Sequence, residues 1–334
     1  LQAIETADVG AMSSAQIASL NSTQMNRLTT DQVQALTTDA VKALSTATVQ
    51  ALNTDQLSAL TSGQVQALSS GQLQALGTAQ VRDMATTQLA NLSSTQIKAL
   101  TSSQLNILLP ESLQAIETAD VKEMTTAQIN ALTSAQVNNL STDQVQALTT
   151  AQIRALTSSQ LNGMADATVQ ALTSTELQAL TTAQAQSLTA AMLNKLTTDQ
   201  VGVLSSTTVT ALNTTALSTL VVEQLNALTS TQVQALSSTQ VQALTTGASG
   251  QLNSMGTQQL ANLSTSQIQA LTTVQLNALN STALQSLETL DISKLTTAQV
   301  SAVGTSQWQN LTTEQWAALP ITVGFKQSSD TPKP

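Results

Sequence analysis

Chemistry in this 334-residue chain would have to come from nineteen acidic and ten basic side chains, seven methionines and two tryptophans, because it contains no His, Cys or Tyr. Without Cys or His there is no disulfide, no zinc site of the usual kind and no Cys or His nucleophile system, and the side chain best suited to proton transfer near neutral pH is missing. The carboxylates Asp31, Asp39, Asp55, Asp143 and Asp199 do not form the closely alternating acidic run with a turn glycine that a calcium loop requires, and no glycine-rich phosphate loop is present. Haem would find only methionine as an axial ligand. No metal, no cofactor and no catalysis are therefore expected, and a net charge of −9 opposes a nucleic-acid partner. Trp308 and Trp316 remain as candidates to close the end of a core or to contact a partner.

The elements that position these residues follow from a repeat. From Ile4 a large apolar residue recurs every eight positions through Leu244, giving thirty-one anchors in register. After a three-residue insertion around Thr245–Gly250 the period resumes from Met255 to Leu319. The unit reads Thr-Thr-x-Gln-Val-x-Ala-Leu, as in Thr149–Leu156, and its eight positions are numbered here as slots 1 to 8. Slot 1 is Thr, Ser, Asn or Gly in 32 of 40 units, slot 4 is Gln or Glu in 27, and slot 5 is large and apolar in 37. That order is a helix start: a slot 1 hydroxyl caps a first-turn amide, the slot 4 side chain reaches back to the cap amide, and the apolar residues on either side form a hydrophobic staple. Asp31, Asp39, Asp55, Asp143 and Asp199 occupy slot 3, near helix N-termini where negative charge is favourable.

These signals predict an all-α solenoid, a superhelix of very short tandem helices with one helix of about two turns in each octad. A lone helix of this length is marginal in water, so the octads must share one continuous core. A β-solenoid is the competing reading, since Thr and Val favour strands. Alternation opposes it: a strand would send Val and Ala to one face and Leu to the other, beside the glutamines. The organisation expected is one array over residues 1–244, a glycine-containing bulge at 245–254, the same array resumed over 255–319, and a flexible tail at 320–334. Leu108-Leu109-Pro110-Glu111 reads as a variant helix start with Pro at the first helical position.

Longer copies lie over the octad. Leu1–Val9 recurs letter for letter at Leu113–Val121 and more loosely at Leu284–Ile292, which implies growth by segmental duplication. The chain starts at Leu1 inside a repeat, so further repeats of a longer parent chain are expected. No apolar run reaches the roughly 18 residues that span a bilayer, so no membrane insertion is expected. Sequons at Asn21, Asn91, Asn139, Asn213, Asn262, Asn280 and Asn310 are what a chain so rich in Ser and Thr produces by chance.

Leu28–Leu36, LTTDQVQAL, and its many siblings resemble the octad arrays of giant secreted or surface repeat proteins of Gram-negative bacteria, proteins of the adhesin and haem-utilisation kind. The resemblance implies an extracellular or cell-surface location and a role as stalk, spacer or filament-like scaffold. End-to-end self-association, or a protein or glycan partner held by the solenoid surface, is the expectation for binding. Ice binding through rows of Thr is the alternative attached to the β-solenoid.

Overall fold

The computed structural model describes residues 2–320; the tail expected at 320–334 lies outside the described residues but for Pro320. The described residues form 39 short α-helices and no strand. The all-α solenoid with one helix per octad is therefore the fold, and the β-solenoid is excluded. The helices are shorter than the two turns expected, four to six residues each. Two residues of many octads leave the helical region. After Thr150–Ala155, for example, Leu156 is extended at φ −60°, ψ 133°, as is the cap that opens the helix, Thr149, at φ −76°, ψ 158°. An extended cap is what lets the hydroxyl fold back onto the first-turn amides.

The capping box is made in most octads. In the octad Thr61–Leu68 the Thr61 N–H donates to Gln64 Oε1 at 2.7 Å and the Gln64 N–H donates to Thr61 Oγ1 at 3.3 Å. Thr61→Ala should cost about 1 kcal/mol of local stability, seen as faster hydrogen exchange of the amides in Ser62–Ala67. The expected helix start at Leu109 is also present, with Pro110 in the first helical position and no side-chain cap. Asp31, Asp39, Asp55, Asp143 and Asp199 each lie in the first turn of their helices.

The chain divides into two compact units, Leu1–Leu172 and Thr173–Pro334. Within each, a helix packs against the third helix further along, as Thr38–Ala43 does against Ser62–Ala67 and Thr182–Ser187 against Ser206–Ala211. Slots 5 and 8 fill the core: Val33 and Leu36, Val65 and Leu68, and Val209 and Leu212 are all buried. No helix among the described residues is long and apolar enough to cross a membrane.

The insertion lies within the second unit and is absorbed locally. Thr245 caps a helix six residues on, its N–H donating to Gln251 Oε1 at 3.2 Å and its Oγ1 accepting from the Gln251 N–H at 3.0 Å. Two glycines make the detour feasible. Gly247 has φ +99°, and a Cβ on Gly250 would stand 2.4 Å from the Thr246 carbonyl.

Candidate functional site

The buried polar groups concentrate in slot 4. From Gln32 onward most glutamines there are almost fully enclosed; Gln64, for example, is 2% exposed. Burial of a primary amide demands partners for both its ends. Oε1 takes the cap amide, and Nε2 crosses to the previous turn of the superhelix. Gln64 Nε2 donates to the carbonyls of Leu36 at 2.6 Å and Val33 at 3.1 Å, 28 and 31 residues earlier. Gln88 does the same to Leu60 and Leu57, and Gln152 to Met124 and Val121. Each such glutamine reaches the C-terminal end of the fourth helix back, so one superhelical turn takes between three and four octads. Helix C-termini carry carbonyls without intrahelical partners, and the ladder satisfies them.

Across the insertion the reach lengthens by three residues and nothing else changes. Gln251, Gln259, Gln267 and Gln275 bond carbonyls 31 and 34 residues back, and Gln299 returns to 28 and 31. On the outside a lighter set of bonds runs the opposite way. The slot 6 amides of Asn106, Asn130 and Gln269 donate to the slot 7 carbonyls of Ala131, Ala155 and Lys294, each 25 residues ahead. Where slot 4 is Ala216, the cap Asn213 reaches back instead, its Nδ2 donating to the Leu188 carbonyl at 2.8 Å.

Glu176 is the glutamate among the slot 4 residues. It keeps the capping box, with the Thr173 N–H donating to Oε2 at 2.5 Å, but it is 2% exposed and its Oε1 has no partner. Burial pushes its carboxyl above the usual range, against the opposing effect of the Thr173 hydrogen bonds. Two aspartates in slot 4 find a different solution. Asp120 accepts from Ser94 Oγ and Asp291 from Thr265 Oγ1, both at 2.6 Å, a hydroxyl 26 residues earlier in each case. Both belong to the duplicated block first seen at Leu1–Val9. Lys98 Nζ meets Glu123 Oε2 at 2.5 Å on the surface and lowers that carboxyl, chiefly by its hydrogen bond and then by its charge. Exposed pairs of this kind add little to stability.

The two tryptophans are not equivalent. Trp308 is buried and its Nε1 donates to the Val300 carbonyl at 3.3 Å, whereas Trp316 is half-buried. Among the described residues no group of three or more His, Cys, Asp or Glu is close enough to share a metal ion. The clefts between helices are shallow. One of about 320 Å³ is lined by Ser102, Ser103, Asn106 and Ala131, and one of about 450 Å³ by Thr182, Gln186, Ser206, Thr207, Thr210 and Ala211.

The ladder's donors went unread in the sequence because a capping box accepts Gln and Glu alike. The signal was present nonetheless: slot 4 holds Gln almost to the exclusion of Glu, and only Gln has an N–H to give. A family model described as the ALTTAQ repeat matches residues 1–38, 39–70, 65–102, 113–150, 248–282 and 284–320, more than half of the chain. No curated protein matches it.

Proposed function

The chain belongs to the ALTTAQ repeat family, and from this together with its turn-to-turn glutamine ladder we propose that it is a structural module, a stalk, spacer or filament-like scaffold, of a secreted or cell-surface protein of the adhesin kind. The observation that carries the reading is what the buried polar side chains do. Gln64, Gln88, Gln152 and their equivalents bind backbone carbonyls of the same chain, so the polar groups that an enzyme would aim at a substrate here tie one superhelical turn to the next. Catalysis is not part of this role. The ice-binding alternative required a β-solenoid and falls with it.

Immunogold labelling of the source cells with an antibody against this chain tests the reading. Label is expected on intact cells, held away from the envelope, and in-frame removal of seven octads should bring it closer without abolishing display. Label confined to permeabilised cells would overturn the surface role, and an unchanged distance would overturn the spacer role.

A further inference from the structure

Charged residues follow a longer period than the octad. With octads numbered from the one that holds Glu5 and the insertion set aside, the acidic residues in slot 4, Asp8, Asp120, Glu176 and Asp291, fall in octads 1, 15, 22 and 36. Their separations are all multiples of seven. Asp31, Asp143, Asp199 and Glu314 in slot 3 keep the same spacing, and so do Asp55, Glu111 and Glu223. Seven octads are 56 residues, two steps of the 28-residue bond made by the glutamines, so within each unit a given register returns to the same side of the superhelix.

Two of the seven registers contain no Asp, Glu, Lys or Arg at all. In the first unit they are the octads of the helices Ser14–Ala18, Thr46–Gln50, Ser70–Ala75, Ser102–Asn106, Thr126–Ala131 and Ser158–Asn162. These six are contiguous in that order. Thr48 Oγ1 donates to the Leu20 carbonyl at 3.4 Å, Gln104 Nε2 to Leu76 at 2.9 Å, and Gln160 Nε2 to Leu132 at 2.7 Å. The intervening pairs pack side by side. The second unit repeats the pattern with Thr182–Ser187, Thr214–Ser218, Ser238–Ala243, Thr273–Ala278 and Thr297–Ala302. Acidic octads stack on one another elsewhere: Thr118–Glu123, Thr142–Gln146 and Asp166–Ala171 pack in succession and bring Glu117, Asp120, Glu123, Asp143 and Asp166 to one side.

We propose that the uncharged strip of the Leu1–Leu172 unit is a self-association face, on which the same strip of a second copy of this chain lies alongside, with the acidic octads turned away. A chain of net charge −9 repels its copies, and a strip free of charge is where two can approach without burying an ion. Interface cores are depleted of charged residues in the same way. The strip displays Ser, Thr, Asn and Gln, each both donor and acceptor, so it complements itself across a two-fold axis. Neither tryptophan lies on it, which leaves no indole ring for a sugar to stack on. At the chain's average exposure, 14705 Å² over 334 residues, six octads carry on the order of 2,000 Å², enough for the roughly 800 Å² per partner of a standard interface.

Sedimentation equilibrium of the full chain over a wide concentration range, at low and high salt, tests this. A reversible dimer or larger side-by-side assembly is expected. Gly71→Glu, Ser103→Glu and Ala127→Glu together, all exposed positions on the strip, should weaken it at least about tenfold by placing like charges across the interface. Gly63→Glu, Thr87→Glu and Ala119→Glu, exposed positions in charged registers, should leave it unchanged, and both triple variants should keep the wild-type helical spectrum. A monomer at every concentration, including one that binds a neutral saccharide instead, would overturn the proposal, as would equal weakening by the two triple variants. The scaffold role would survive either result.

Discussion

Gln64→Glu should remove about 3–5 kcal/mol of local stability at neutral pH, the loss typical of a buried charge left without a partner. The change is close to isosteric, and a carboxylate can still accept the Thr61 N–H, so the capping box is retained. What disappears is the Nε2 donor, and in its place an oxygen confronts the carbonyls of Leu36 and Val33. The substitution therefore separates the two duties of slot 4. Hydrogen exchange should show lost protection in Ser62–Ala67 and also in the helix Thr30–Gln34, four octads earlier, whose C-terminal carbonyls lose their donor. Acid should restore part of the loss, since a protonated carboxyl regains a donor. A loss no larger than that of Thr61→Ala would mean that capping is the whole of the glutamine's contribution.

Glu176→Gln should do the reverse and raise local stability by about 1–3 kcal/mol at neutral pH, the usual penalty of a buried polar atom without a partner. The wild-type chain supplies the pH signature. The carboxyl of Glu176 is raised in the folded state, so between the ordinary and the raised pKa the folded chain holds more of that proton than the unfolded chain does. Stability from this group is accordingly complete below the ordinary carboxylate pKa and declines as pH rises through the raised one. Hydrogen exchange of the amides in Ser174–Gln178, followed from acid to neutral pH, should show that decline in the wild type and not in the variant. Parallel profiles for the two proteins would count against a buried, unpartnered carboxylate.

Much of the fold could be read from local chemistry. Thr or Ser three residues ahead of Gln, with apolar residues on both sides, specifies where each helix begins, and the anchor Leu, extended in octads such as Thr149–Leu156, marks where the helix ends. The octad predicts about two turns of helix, but slot 8 and slot 1 are extended in Thr149–Leu156, which leaves six residues for the helix. The ladder itself could not be located from one octad. Its 28-residue reach depends on how the short helices coil, a property of packing between turns that no local propensity encodes. Asp120 and Asp291 illustrate the same boundary. Their presence in a duplicated block was visible, while the Ser94 and Thr265 hydroxyls that accommodate them were not. The tryptophans are legible as exceptions to slot 5, but packing in the fold is what distinguishes the enclosed Trp308 from the half-buried Trp316.

The acceptors of the ladder are main-chain carbonyls, which every residue type supplies alike. Unequal crossing-over between any two in-phase octads consequently yields a chain in which each slot 4 amide again meets an oxygen at the right height. As far as the ladder is concerned, the array can lengthen or shorten by whole octads without any compensating substitution, and even the out-of-phase addition near Thr245 is accommodated, with residues 245–249 exposed. The ladder therefore sets no limit of its own on the number of octads in the array.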